Sequence, residues 1–193
     1  RRFMYWQVYL HKTGIVAEQL LTRVLKRAKE LSIGSKKLEA SKALSYFLSN
    51  EISVEDFNLE VLKIFSKLDD TDILAAMKSW QNHEDFVLRH LCSMIINRDL
   101  LKIKLKNKPI KKELLKKHTD KLIARYSISK KEAQYFVFEG SISNQAYRSE
   151  EQQIHILQKS GKVVDITKAS DQFNIKALSK PITKHYICFP KTI

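Results

Sequence analysis

Ala17-Glu-Gln-Leu-Leu-Thr-Arg-Val-Leu-Lys-Arg-Ala-Lys-Glu-Leu31 decides the fold class, because Ala17, Leu20, Leu21, Val24, Ala28 and Leu31 recur at steps of three and four. Such a period lays one apolar stripe along a helix and leaves charge on the other side. Toward the amino end the pattern reaches back to Phe3, weakened at Gly14, and predicts a helix from Phe3 to about Leu31. It stops near Ser32, Gly34 and Ser35, where a glycine can take the left-handed stop and a serine can cap the next helix. A second helix is expected from about Lys36 to Leu48. Ser53 and Asp56 have capping-box spacing, with Asp in place of Glu, and open the run Phe57, Leu59, Val61, Leu62 and Phe65. Asp69-Asp-Thr-Asp72 opens the next helix, through Leu74, Met77 and Trp80; His83-Glu-Asp85 opens another, through Leu88, Leu91, Ile95 and Ile96. Acids at a helix start satisfy free amides and suit the dipole. Metal ligation is the competing reading of the Asp69 cluster.

Past Ile96 the character changes. Leu101, Ile103 and Leu105 alternate with Lys102, Lys104 and Lys106, the period of a strand with one apolar and one ammonium face. Pro109 marks a boundary, and Lys111 to Arg125 reads as a helix on Leu114, Leu115, Leu122 and Ile123. Tyr135-Phe-Val-Phe138, Gln153-Ile-His-Ile-Leu157, Val163-Val-Asp-Ile166 and His185-Tyr-Ile-Cys-Phe189 are short β-rich runs, and Ser160-Gly161 separates two of them as a hairpin turn would. The expected fold is mainly α with a smaller α+β C-terminal part. Residues 1–100 form a helical lobe and residues 101–193 a basic α+β unit. No internal repeat or long low-complexity linker separates them.

Composition agrees. Of 193 residues, 44% are hydrophobic and only 4 are Gly and 3 Pro, which suits helices more than a turn-rich all-β chain. Cys92 and Cys188 have no Cys or His at finger spacing, so a zinc module is unsupported and reduced thiols in a cytoplasm fit best. No apolar run approaches the ~20 residues that span a bilayer, so no membrane association is expected. The chain starts at Arg1 with an uncapped aromatic helix, from which we expect that it begins inside a longer one.

The formal net charge is +14, from 35 Lys and Arg against 21 Asp and Glu. Between Leu101 and Lys131 twelve basic residues face two acidic ones, Glu113 and Asp120. Such a surface is a solvated face, or it attracts single-stranded nucleic acid, a phosphate-rich nucleotide or an acidic subunit.

Arg1, Tyr5, Tyr9 and Lys12 share one helix face over about 16 Å. Cations and phenols so placed suit a nucleoside polyphosphate, the phosphates on the cations and the sugar or base on a ring. Core aromatics with snorkelling cations have the same spacing. His11 beside Lys12 is a packing residue or a ligand. The six histidines include no His-Asp dipeptide and no i, i+4 pair, and there is no glycine-rich phosphate loop, GxSxG elbow or paired Cys-His. No catalytic or metal-binding residue is expected on this chain.

Arg1-Arg-Phe-Met-Tyr-Trp-Gln-Val-Tyr-Leu-His-Lys-Thr13, followed in order by Phe57-Asn-Leu-Glu60, Leu68-Asp-Asp-Thr-Asp-Ile-Leu74, Ile96-Asn-Arg-Asp-Leu-Leu101, Tyr135-Phe-Val-Phe138 and Ala177-Leu-Ser-Lys-Pro181, resembles bacterial HD-superfamily phosphohydrolases related to the dNTP triphosphohydrolases. The resemblance covers nearly the whole chain. It implies the helical lobe of an HD-domain phosphohydrolase without its metal-binding core: two histidines and two aspartates that hold a divalent metal would precede Arg1. In the intact parent a metal-activated water would attack a phosphorus atom and release triphosphate from a deoxynucleotide. Arg1 corresponds to an arginine on substrate phosphates and Tyr9 to a tyrosine beside the sugar. His11 and Lys12 match positions near nucleotide at a subunit interface, and Arg98 an arginine in an allosteric pocket; a homo-oligomer is implied by the same likeness. The alternative function is a non-catalytic basic nucleic-acid-binding module.

Overall fold

The computed structural model describes residue 4 and residues 7–8, 10–34, 38–144, 154–166 and 182–192. Its chain is mainly helical with a small antiparallel sheet, as the sequence leads one to expect. The long helix α1, Lys12–Ile33, buries Val16, Leu20, Val24, Ala28 and Leu31 along one stripe. Each of these valines and leucines withdrawn from water contributes roughly 1.5–3 kcal/mol, and Ala28 under about 1, before entropy is charged against them. Its start differs from the expected Phe3. His11 is extended, with φ −63° and ψ 140°, and its Nδ1 accepts the Thr13 amide at 3.4 Å, so the helix is capped there. Met4 is helical and Gln7–Val8 are wound as a π turn ahead of that break. Gly34 closes α1 at φ −73°, not in the left-handed region.

Helix α2, Lys42–Ser49, begins later than expected: residues 38–41 are not helical, and Ser41, extended at ψ 160°, supplies the cap to the Leu44 amide. Ser53 and Asp56 make reciprocal bonds, Ser53 Oγ donating to Asp56 at 2.7 Å, yet they close a turn rather than a helix. Helix α3, Leu59–Phe65, waits for Asn58, whose Oδ1 takes the Glu60 and Val61 amides. Helix α4, Asp70–Trp80, opens with a capping box between Asp69 and Asp72, which puts those carboxylates on backbone amides. Helix α5, Phe86–Ile96, is capped by Asp85 on the Leu88 amide at 2.8 Å.

Strand β1, Lys102–Lys106, has the expected alternation, its lysines exposed and Ile103 and Leu105 half-buried. Helices α6, Lys112–Tyr126, and α7, Lys130–Ala133, come next in the chain. Tyr135–Val137 form a turn, so β2 begins only at Phe138 and runs to Asn144. Strands β3, His155–Leu157, and β4, Val163–Asp165, make a hairpin around Gly161 at φ 79°, and β5 covers Ile182–Phe189. The larger sheet has the order β1-β5-β2, both pairings antiparallel, with Leu105 opposite Tyr186 and Gly140 opposite Tyr186 from the other side. Central β5 carries Tyr186, Ile187, Cys188 and Phe189, all buried, a continuous apolar run that fits a strand covered on both faces. One hydrophobic cluster joins these residues to α1, α4 and α5, with Trp80 at 1% exposure and its Nε1 donating to the Glu39 carbonyl at 2.9 Å.

Candidate functional site

Arg1 and Tyr9, with Tyr5, lie outside the described residues. Of the expected stripe, Lys12 is described: it is exposed, at the first position of α1, beside the capping His11. Arg98 is exposed and stands just past the carboxyl end of α5 at φ 56°, a left-handed conformation that few non-glycine residues adopt. No hydrogen bond or ion pair joins Arg98 to His11 or Lys12 among the described residues.

Asn97 and Asp99, on either side of Arg98, line a pocket of about 280 Å³ whose walls include Phe86, His90, Tyr126 and Phe136. His90 lies 4.0 Å from the Phe86 ring and its Nδ1 is 2.9 Å from the Phe86 carbonyl. Lys191 pairs with Asp99 at 2.8 Å on the rim.

A larger concavity, about 520 Å³, opens between α1 and the turn after α7, and its cations are Arg23, Lys26, Arg27 and Lys131. The helix supplies three of them at i, i+3 and i+4, one face of one turn. Arg27 is held on both sides: Nη2 contacts Asp85 Oδ2 at 2.5 Å, Nε reaches Oδ1 at 3.0 Å, and Nη1 reaches Glu30 at 3.3 Å. Burial alone would raise the Asp85 pKa. The Arg27 bonds and the Leu88 amide overcome it and hold the carboxyl below its usual value. Arg23 lies over the Phe138 ring at 3.3 Å and donates to the Gln19 carbonyl at 3.2 Å. Burial, first among its causes, draws its pKa down. Tyr135 lines the same cleft, its buried hydroxyl beside the Glu30 carboxylate and the Arg27 guanidinium. Burial, then the neighbouring Glu30 carboxylate, push that phenol above the ordinary tyrosine value.

The basic segment folds onto itself. His118 of α6 stacks on Phe189 of β5 at 3.9 Å and 15°, and Lys104 of β1 stands 5.5 Å from the same ring. Burial, then Lys104, Lys121 and Lys117, lower the His118 pKa, so these three ammonium groups share one neighbourhood. Cys92 and Cys188 are buried and their thiols are pushed up to about 12, which removes them as thiolate nucleophiles at neutral pH. Among the described residues no three His, Cys, Asp or Glu side chains come together as a metal site would require, and no helix is long and apolar enough to cross a membrane.

A crystal structure of a phosphohydrolase from Bacteroides thetaiotaomicron superposes on 99% of the chain with a TM-score of 0.88 and 41% sequence identity. The chain resembles part of a phosphohydrolase. It spans 48% of that protein's length. An uncharacterized Bacillus subtilis protein, YwfO, is 36% identical over 98 residues, which is 50% of this chain and 21% of YwfO. No protein-family model matches the sequence.

The clamp of Arg27 on Asp85 and the Lys131–Tyr135 wall were not anticipated from sequence. The i, i+3, i+4 cations of α1 were visible there, but nothing in the chain's local pattern announces which turn closes over them.

Proposed function

We propose that this chain is the substrate-lining, non-metal part of a longer phosphohydrolase of the HD superfamily that acts on deoxynucleoside triphosphates. The observation that carries the reading is the 41% identity sustained along 99% of the chain with a protein described as a phosphohydrolase. In this reading Arg1 holds substrate phosphate and Tyr9 the sugar, while His11, Lys12 and Arg98 serve nucleotide at a second place between subunits of a homo-oligomer. The aromatic-walled pocket beside Arg98 favours that last role, since a planar base stacks on such side chains. In this reading a divalent metal is held by residues of the longer protein outside this chain.

The test is made on the longer protein. Arg1→Ala and Tyr9→Ala are each expected to lower kcat/KM for a dNTP by roughly tenfold to a hundredfold, the loss of about 1.4–2.7 kcal/mol of transition-state binding. Unchanged hydrolysis by both variants refutes their roles.

A second reading, a basic single-strand nucleic-acid-binding module, is favoured by the convergence of Lys104, Lys117 and Lys121 around His118 and Phe189. Salt-dependent binding of an oligonucleotide decides it.

A further inference from the structure

We propose that the cleft between α1 and the turn after α7 binds a compact polyphosphate, with Arg23, Lys26, Arg27 and Lys131 as its charged walls and the Tyr135 hydroxyl as an additional donor. Four cations line it against one carboxylate, Glu30. Arg27 is largely spoken for by Asp85 and Glu30. Arg23, Lys26 and Lys131 have no carboxylate partner among the described residues, so the concavity holds uncompensated charge. Like charges drawn together on a folded surface repel, and their convergence on one depression is what a multiply charged anion relieves. Arg27 is fixed on Asp85, and Arg23 lies over Phe138 and is bonded to Gln19, so two of the four cations are held in place before a ligand arrives. Tyr135 lines the same hollow, and its phenol can donate to a phosphate oxygen there.

Size and shape select the ligand class. About 520 Å³ lies within the range of small-ligand sites, enough for a chain of phosphoryl groups. The cations converge on one hollow instead of following a track, which suits a compact anion more than the extended backbone of a nucleic acid. This inference uses none of the residues given roles in substrate hydrolysis, so it can fail while that reading stands, and the reverse.

The probe is inorganic triphosphate, titrated calorimetrically into this chain at low ionic strength. Binding is expected, with a rise in melting temperature as the ligand concentration climbs. Lys26→Ala/Lys131→Ala removes two exposed, unpartnered charges without touching the Asp85 clamp, and should weaken binding tenfold or more. Lys117→Ala/Lys121→Ala removes the same charge from α6 and should leave affinity within twofold. Absence of binding, an unaffected Lys26→Ala/Lys131→Ala variant, or equal losses in both pairs overturns the proposal. A single-stranded oligonucleotide without terminal phosphates distinguishes the source of the phosphate: if it binds more tightly than triphosphate and loses that binding in Lys26→Ala/Lys131→Ala, the cleft is a backbone track and the compact-ligand assignment falls.

Discussion

Asp85 does two jobs with one carboxylate: Oδ1 accepts the Leu88 amide at the start of α5 and both oxygens grip Arg27 of α1. Its side chain is 10% exposed and that of Arg27 20%, so water screens the pair only partly. A pair in this position stands between an exposed bridge, worth at most about 1 kcal/mol, and a buried one whose breakage costs about 3–5 kcal/mol. Asp85→Asn keeps a competent cap but removes the charge. We expect it to cost about 1–3 kcal/mol in urea denaturation at pH 7. The pH dependence has a definite sign. The folded-state pKa lies below the unfolded value of about 3.9. The clamp therefore contributes fully above that value and is lost as pH falls through the folded pKa, where both states bind the proton. Asp85→Asn should flatten this acid limb. Equal stability and an identical acid limb in wild type and Asp85→Asn would show that the carboxylate does not fasten α1 to α5.

At the scale of elements, β5 sets the tightest tolerance. Gly140 of β2 lies opposite Tyr186, and a Cβ at residue 140 would fall on the Tyr186 hydroxyl and ring, which are packed in a buried side chain. Gly140→Ala must displace that ring from the core, and overpacking of this kind costs about 1–3 kcal/mol. Chemical denaturation should report the loss, and Gly140→Ala/Tyr186→Ala should be less destabilised than the two single losses added together. An additive pair would remove the collision as the cause. The elements themselves were largely legible: α1, α4, α5 and α6, the β1 alternation and the Gly161 hairpin are dictated by period and capping chemistry. The misplacements have physical reasons. Ser53 and Asp56 satisfied each other in a turn with Val54 94% exposed, leaving no apolar face to bury, so the helix began only at Asn58. A ring nitrogen, not a hydroxyl or carboxylate, capped α1 at His11. At Tyr135–Val137 the backbone amides bond back to the Glu132 and Ala133 carbonyls, extending the α7 turn against β propensity. The cleft was half legible, because α1 places its three cations by helical spacing whereas Lys131 and Tyr135 arrive only when the chain folds back. The roles proposed for Arg1 and Tyr9 rest on resemblance, which composition and spacing do not supply.

Across the whole molecule, burial and charge separate. One apolar cluster runs from Ile15 to Phe189 and draws on both the helical segment and the basic α+β segment. Charge has another plan: the surplus of twelve bases over two acids between Leu101 and Lys131 is carried on exposed lysines and Arg125 of β1, α6, α7 and the loop between β1 and α6. Such a field attracts any polyanion, and ionic strength tells a bound phosphate backbone from a passive solvated face. If Lys104, Lys117, Lys121 and one further lysine contact the backbone of a single strand, counterion release gives a slope of about −0.7 per contact in log affinity against log salt. Three or four contacts then lower affinity roughly twentyfold to fiftyfold between about 50 and 200 mM salt. In Lys104→Ala/Lys117→Ala/Lys121→Ala the slope should fall by about 2 units. Fluorescence anisotropy of a labelled single-stranded oligonucleotide measures both quantities. An affinity indifferent to salt, or no binding at the lowest ionic strength, means that these lysines are a solvated surface, and the nucleic-acid reading is then withdrawn.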